Sequence, residues 1–234
     1  MSDQRGRVRT APSDKRVRIW FGGVPIVDTV DALYVWENPY YPQYYVPMTA
    51  VTDDVLVATS TRTRSPSRGD ASHYTVRAGG REAIDAAWSY PDSPLDELRD
   101  RVRFDFPAMD AWFEENEEIF VHPRDPATRI QILSSSRHAV VSVGGTIVAE
   151  SDRPTFLFET HLSRRTYFPR FDVSMDLLVP STTTSGCPYK GTAVYWSLPG
   201  EPDIAWSYPT PLPESERIAG LIAFYDDRVD LRVD

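Results

Sequence analysis

The sequence predicts a mainly β protein made of two tandem copies of one small antiparallel domain, with only short helices. Three observations support this prediction. Residues 22–71 lie over residues 144–193 without a gap, apolar β-branched runs flank Gly-Gly turns in both stretches, and the chain combines 20 Pro with 12 Tyr, 10 Phe and 6 Trp. Prolines and aromatic residues at this level suit short strands and turns better than long helices. A chain of 234 residues has room for two domains, each with its own core.

The internal repeat rests on 13 identities in 50 aligned positions, where unrelated segments of ordinary composition share roughly three. The identities include Glu37 over Glu159 and Tyr45 over Tyr167. Two later anchors extend the repeat: Trp-Ser-Tyr-Pro at 88–91 recurs at 206–209, and residues 111–115 are aligned with 223–227. The offset falls from 122 to 118 and then to 112, so copy one is predicted to carry small extra loops.

Each copy is predicted to be a chain of hairpins. The first turns at Gly22-Gly23 in copy one and at Gly144-Gly145 in copy two, between apolar runs rich in Val and Ile. The next strand is expected at 33–37 in copy one and at 156–159 in copy two, and a later turn is expected at 79–80 and at 199–200. A final hairpin is expected over 221–233.

Short helices are predicted at two places. Residues 93–104 begin with a Ser cap followed by Pro in the first turn, and residues 213–219 form a shorter counterpart. The expected organisation is a disordered basic tail over 1–15, a first and degenerate β domain over 16–122, a linker over 123–136 and a second, complete β domain over 137–234.

Composition excludes several classes of function. A net charge of −9 argues against nucleic acid as a partner. No apolar run approaches membrane-spanning length, so no membrane partner is expected, and the N-terminus lacks a secretory core, so we predict a cytoplasmic protein. A single cysteine, Cys187, excludes an internal disulfide and a Cys-rich zinc site, and the four His show no ligand spacing. We therefore expect no metal and no cofactor.

The densest candidate for chemistry is the turn that contains Cys187, Tyr189 and Lys190. A lysine close to a cysteine lowers the thiol pKa if the loop brings them together, and a desolvated Lys190 could act as a nucleophile or as an anion clamp. The alternative, favoured by residue types alone, is a buried turn with Lys190 reaching solvent. Copy one reads Ser-Pro-Ser-Arg-Gly over 65–69, so the turn is architectural, whereas the thiol and the tyrosine belong to copy two alone.

Other polar and aromatic residues recur around this turn. Glu37 and Glu159 each end an apolar run, so each is either buried and paired or the first solvated residue. Arg170 and Asp172 form either a surface salt bridge or an orienting pair. The aromatic residues are either core or the wall of a small-molecule site. The predicted ligand-binding set is Glu159, Tyr167, Cys187, Tyr189, Lys190, Tyr195, Trp206 and Tyr208.

These motifs support a family resemblance. Cys-Pro-Tyr-Lys-Gly at 187–191, Tyr-Phe-Pro-Arg at 167–170 and Trp-Ser-Tyr-Pro at 206–209 closely resemble the bacterial domain-of-unknown-function 427 family, in tandem form, from about residue 16 to the end. The resemblance implies a small cage-like fold similar to the β-tent proteins, around a central cavity. β-Tent families usually hold zinc through cysteines, and this chain, with its single cysteine, cannot do so. The family also carries a nucleotidyltransferase label (NTP_transf_9), but neither copy has the paired Asp-x-Asp metal ligands of that chemistry. The departures in copy one indicate an altered or silent site.

The leading functional hypothesis is a small-molecule-binding module that uses copy two. An enzyme is the second hypothesis, with Lys190 or Cys187 as nucleophile and Glu159 as acid or base on a small carbonyl or ester-like substrate. A structural or interaction scaffold is the third. Ligand identity and oligomeric state stay open, and the two copies could pack as an internal pseudo-dimer.

Overall fold

The structure, a computed structural model, describes residues 8–234 and divides into two compact units. Unit 1 ends at Asp125 and unit 2 begins at Pro126. No helix in the described part of the chain is both long and apolar enough to cross a membrane.

Over residues 8–125, unit 1 contains eleven strands in two antiparallel sheets. The seven-stranded sheet has the order β1-β4-β5-β9-β8-β7-β6, and the four-stranded sheet has the order β11-β10-β2-β3. Three-residue 3-10 helices lie at Met48–Ala50, Asp96–Leu98 and Phe106–Ala108. The strands are β1 (Arg9–Ser13), β2 (Val17–Phe21), β3 (Val24–Thr29), β4 (Ala32–Trp36), β5 (Gln43–Pro47), β6 (Leu56–Ser65), β7 (Gly69–Ala78), β8 (Arg81–Ser89), β9 (Arg101–Phe104), β10 (Ala111–Glu114) and β11 (Glu117–Ile119).

Unit 2 repeats this plan with ten strands. Its seven-stranded sheet has the order β12-β15-β16-β20-β19-β18-β17, and its three-stranded sheet has the order β14-β13-β21. The 3-10 helices lie at Arg170–Asp172 and Pro213–Ile218, and the second confirms the short helix predicted there. The strands are β12 (Ile130–Ser134), β13 (Ala139–Val143), β14 (Thr146–Ser151), β15 (Thr155–Glu159), β16 (Arg165–Phe168), β17 (Val179–Cys187), β18 (Gly191–Leu198), β19 (Glu201–Ser207), β20 (Ile222–Phe224) and β21 (Asp230–Val233).

The two units share local detail as well as strand order. The predicted first hairpins are confirmed, and each has a bulge at the same place, after Ile19 in β2 and after Val141 in β13. Gly144 and Gly145 have φ of 57° and 83°, as a two-residue type I′ turn requires. The mainly β tandem fold predicted from the sequence is therefore confirmed, although the strands do not form a closed barrel.

Side chains alternate between the two faces of each seven-stranded sheet. Both faces carry buried clusters. One face packs on the smaller sheet of the same unit. In unit 2 this core includes Val141, Phe168 and Phe224. The opposite face carries a second cluster, which in unit 2 includes Leu157 and Trp206. The candidate residues predicted from the sequence lie on this second face.

The predicted tail and linker each contain a β-strand that the sequence analysis did not place there. Residues 9–13 form β1 and residues 130–134 form β12, and both strands pair at the edge of a seven-stranded sheet. Residues 1–7 of the expected tail lie outside the described residues. Because edge strands are held by backbone hydrogen bonds along one side, polar sequences such as Arg-Thr-Ala-Pro-Ser can form them without an apolar stripe.

The helix predicted over residues 93–104 is also wrong beyond its first turns. Only Asp96–Leu98 is helical, and Arg101–Phe104 is strand β9. Val102 and Phe104 alternate with arginines and are fully buried. The period of two, satisfied by pairing with β5 and β8, prevails over the capping signal.

The predicted C-terminal hairpin over residues 221–233 does not form, because its two strands belong to different sheets. β20 pairs with β16 and β19, whereas β21 pairs with β13. The counterpart of β20 in unit 1 is β9, and that of β21 is β10. The alignment of residues 111–115 with 223–227 is therefore wrong. Ala223, which pairs with Trp206, corresponds to Arg103, which pairs with Trp88.

Candidate functional site

The candidate residues of unit 2 form a row across the seven-stranded sheet. Tyr167 is paired with Ala223, Ala223 with Trp206, and Trp206 with Tyr195. Antiparallel partners in register direct their side chains to the same face. This register therefore brings Tyr167 and Trp206 together although they are 39 positions apart in the chain.

The turn between β17 and β18 brings Lys190 to this face. Cys187 pairs with Gly191, which has a φ of 91° that only glycine adopts without strain. Two hydrogen bonds from residues outside the turn fix its backbone. The amide of Leu212 donates to the Lys190 carbonyl at 3.2 Å, and the Ser215 hydroxyl donates to the Tyr189 carbonyl at 3.1 Å. With its backbone fixed in this way, the turn presents the Lys190 side chain to the sheet.

Lys190 and Glu159 form a buried ion pair. Lys190 Nζ donates to Glu159 Oε2 at 2.5 Å, and the two side chains are 11% and 9% exposed. Between the two alternatives considered for each residue, the structure selects burial and pairing over solvation for both.

This pair joins two parts of the sheet that are far apart in strand order. Glu159 is the last residue of β15, and Lys190 lies in the turn that precedes β18. In the strand order of the sheet, β18 is four positions from β15. In a flat sheet that separation would be about 19 Å at about 4.8 Å per strand. Because the side-chain atoms are in contact, the sheet must curl strongly, and the second face is its concave face.

Two buried phenols, Tyr208 and Tyr167, lie near the pair, and a third, Tyr225, lies beside Tyr195. Burial raises the pKa of Tyr208 well above its ordinary value, and nearby Cys187 adds to the effect. Burial likewise raises the pKa of Tyr167, against the lowering effect of a hydrogen bond from Trp206 Nε1 to its hydroxyl at 3.4 Å. Burial first, and then a hydrogen bond with Tyr195, raise the pKa of Tyr225 to about 12. The concave face therefore combines the Lys190–Glu159 pair with hydroxyl groups that stay protonated at neutral pH.

The structure brings together most of the predicted ligand-binding set. Tyr195 is buried and shares a hydrogen bond of 2.6 Å with Ser185, while Cys187 and Tyr189 are half-buried. Five of the predicted residues belong to one packed cluster, which also includes other apolar side chains: Tyr167, Cys187, Tyr195, Trp206 and Tyr208.

Arg170 and Asp172 do not join the site or each other. The Arg170 guanidinium lies 5.6 Å from the ring of Trp196, which belongs to the core between the sheets. Asp172 pairs with Arg153 at 3.2 Å and accepts a hydrogen bond from Ser151 at 2.7 Å.

Sequence reasoning missed two residues of the site. Arg165 lies 5.8 Å from the ring centroid of Trp206 and pairs with Asp226 at 3.3 Å, and the ring of Tyr225 lies 4.6 Å from that of Trp206. Arg165 could have been found, because it precedes Tyr167 by two residues in a strand and so shares its face. Tyr225 follows Ala223 by the same spacing, but the misassigned hairpin hid it.

The corresponding face of unit 1 keeps the carboxylate but changes its partners. Tyr45 donates to Glu37 Oε1 at 2.6 Å, and Glu37 Oε2 forms ion pairs with both Arg68, at 3.6 Å, and Arg103. Arg68 occupies the position of Lys190, and Trp88 and Tyr90 occupy those of Trp206 and Tyr208. The second arginine replaces an alanine.

Two surface depressions of unit 2 lie away from the predicted ligand-binding set. One, of about 610 Å³, is lined by the β13–β14 turn and by residues 227–232, and the other, of about 330 Å³, includes His138, Asp152 and Asp172. Within residues 8–234, no group of three or more His, Cys, Asp or Glu side chains is placed to hold a metal ion. The concave face is filled by its own aromatic side chains.

Comparison with known proteins agrees with the repeat seen in the structure. A search of the curated proteins finds no significant match. The model of one family, described as a domain of unknown function (DUF427), matches twice, over residues 9–115 and 131–234. These matches begin at β1 and within β12 and together cover most of the chain, so the protein belongs to the DUF427 family and carries two copies of its domain.

Proposed function

We propose that this protein is a cytoplasmic small-molecule-binding protein whose ligand is held on the concave face of unit 2, at the Lys190–Glu159 pair. The observation that supports this is a charged pair buried within an aromatic cluster. A buried ion pair is often no more stabilising than well-packed apolar residues in its place. Stability alone is therefore a weak reason for a carboxylate and a cation at this position in both units.

The charges of the site favour a ligand that is neutral or zwitterionic. Lys190 compensates Glu159, and Arg165 compensates Asp226. The ammonium donates, the carboxylate accepts, and the surrounding phenols do either. A ligand with both donor and acceptor groups, and a flat apolar part to lie against Trp206, matches this lining.

Access is expected from the half-buried side of the cluster. Cys187, Arg165 and Tyr225 are all partly exposed, whereas Tyr167 and Trp206 are buried. Because the aromatic side chains fill the concave face, we expect binding to require their displacement at this rim. Such rearrangement slows association relative to a preformed pocket.

Nucleophilic catalysis at the same residues is the alternative. Lys190 Nζ donates to Glu159 as an ammonium group, which has no lone pair for nucleophilic attack until it loses a proton. The paired geometry therefore supports binding over attack on a carbonyl.

The test is a thermal-shift screen of neutral and zwitterionic metabolites, run on the wild type, Lys190→Met and Lys15→Met. The chain has two lysines, and Lys15 forms the matched control because it also pairs with a glutamate, Glu114. A ligand present at about 100 times its Kd adds about 2.7 kcal/mol of stability. We expect such a compound to stabilise the wild type and Lys15→Met, each against its own baseline, but not Lys190→Met.

Two results would count against this proposal. Stabilisation that survives in Lys190→Met would place the ligand elsewhere, and the absence of any stabilising compound would favour a scaffold. Borohydride trapping of a carbonyl compound on Lys190, detected by mass spectrometry, would instead favour the enzyme.

A further inference from the structure

The buried carboxylate of unit 1 is shared by two guanidinium groups. Glu37 Oε2 pairs with Arg68 and Arg103, and the three side chains are 13–16% exposed. Among the described residues, neither arginine has an ion pair with a second carboxylate. Tyr45 occupies the other oxygen of Glu37. The two-arginine site, defined here as Glu37, Arg68 and Arg103, therefore has a net charge of +1 beneath the surface.

The excess charge comes from one difference between the units. At the position of Arg103, unit 2 has Ala223, and its site is electrically balanced with one ammonium and one carboxylate. A buried charge without a partner costs several kcal/mol unless a counter-ion compensates it. An anion that enters the two-arginine site would supply that compensation.

Hydrogen-bond donors without an acceptor also indicate that the two-arginine site can take an anion. The Nε atoms of Arg68 and Arg103 are buried and have no acceptor in the described part of the chain. Buried polar groups are normally satisfied, and two orphaned guanidinium donors beside one carboxylate call for an additional acceptor. The buried Nδ1 of His73, whose ring stacks on Trp88 at 5.7 Å, also lacks a partner.

The guanidinium groups are held rather than free to move. Arg103 lies 4.5 Å from the ring of Trp88, and Arg68 lies 5.3 Å from the ring of Tyr90. Stacking on aromatic faces limits the rotation of a guanidinium and preserves the fork geometry that binds an oxyanion through two parallel hydrogen bonds.

We propose that unit 1 binds the oxyanion of a small molecule, a carboxylate or a phosphate group, between Arg68 and Arg103. The altered residues of copy one then make a second site with a different charge preference from that of unit 2. The proposal concerns unit 1 only, so it stands or falls independently of the ligand proposed for unit 2.

The test measures phosphate binding by ³¹P NMR line broadening and acetate binding by calorimetry, at constant ionic strength set with chloride. The proteins are the wild type, Arg103→Ala, Glu37→Gln and the control Arg101→Ala. Arg101 lies on the same strand but has its own partner, Asp31, at 2.7 Å. We expect Arg103→Ala to weaken binding roughly tenfold or more, since it removes a charge-assisted contact, and Arg101→Ala to leave it unchanged.

Glu37→Gln provides a readout that loss of folding cannot imitate. It raises the net charge of the site to +2 and replaces the competing carboxylate by a neutral amide, which accepts hydrogen bonds more weakly, so it should tighten binding. The anion that binds more strongly to the wild type identifies the preferred group. The proposal is overturned if neither anion binds the wild type, if Arg103→Ala binds as the wild type does, or if Glu37→Gln binds more weakly.

Discussion

Replacing Lys190 by Met tests the energetics of the candidate site most directly. The variant keeps a long apolar side chain in place but leaves the Glu159 carboxylate, 9% exposed, without its cation. At the observed 2.5 Å the gross attraction is about 7 kcal/mol for an effective dielectric of about 20, and much of it offsets the desolvation of the two groups. The loss on breaking such a pair is about 3–5 kcal/mol, because the remaining charge stays buried.

The double variant Lys190→Met/Glu159→Leu separates the ion pair from simple packing. With both charges gone, no group is orphaned, so we expect its stability to return to within about 1 kcal/mol of the wild type. Lys15→Met is again the control. Lys15 is 36% exposed and Glu114 also accepts a hydrogen bond from Tyr44 at 2.9 Å, so this variant should lose only about 1–2 kcal/mol.

Hydrogen exchange followed by mass spectrometry is the appropriate assay, because peptides from residues 130–234 report the stability of unit 2 separately from that of unit 1. A loss below about 1 kcal/mol in Lys190→Met, or an equal loss in the double variant, would refute the reasoning. The first result would mean that the pair is hydrated in solution, and the second would mean that the loss comes from altered packing and not from an orphaned carboxylate.

Two further predictions concern backbone and pH. Gly79→Ala should lower the free energy of unfolding by at least about 3 kcal/mol, because the new Cβ would lie 1.8 Å from the carbonyl oxygen of Gly22. Gly80→Ala has open space around it and should lower it by about 1–2 kcal/mol, because of the positive φ at this position. Urea unfolding of the two variants compares these losses. A hydrogen bond with Asp152 raises the pKa of His138 above 6.5. The stabilising contribution of His138 is therefore complete below that pH and is lost as pH rises through the pKa of the folded state. An NMR titration and exchange rates between pH about 6 and about 8 should show this loss in the wild type and not in His138→Gln.

The sequence predicts the features of this fold that depend on local chemistry. Paired glycines specify the tight turns at 22–23 and 144–145, and the Cys-Pro-Tyr-Lys-Gly pattern specifies a turn closed by Gly191 in the left-handed region. The recurrence of Glu37 and Glu159 at strand ends indicates a shared role. Each of these predictions needs only neighbouring residues and the repeat.

The features that failed depend on pairing between distant strands. β9 and β20 are short, and each takes its partners from strands distant in sequence as well as from the preceding strand. Nothing local distinguishes such a strand from the end of a helix or from one arm of a hairpin. The misplacement of Ala223 hid Arg103 as well, because the two occupy the same register. A wrong strand assignment thus concealed the largest chemical difference between the two sites.

The ion pairs at this position also explain how an open sheet keeps a concave face. Barrels close by hydrogen bonds between their first and last strands. Here β15 and β18 are separated by three strands, and Glu159 and Lys190 join them through their side chains. A side-chain contact of this kind can open without breaking the sheet, whereas a hydrogen-bonded seam cannot. The ligand proposed above would compete for Lys190 or Glu159, and it would therefore act on the curvature of the sheet as well as on the pair. We infer that this closure by a carboxylate and a cation in each unit couples occupancy of the site to the shape of the domain.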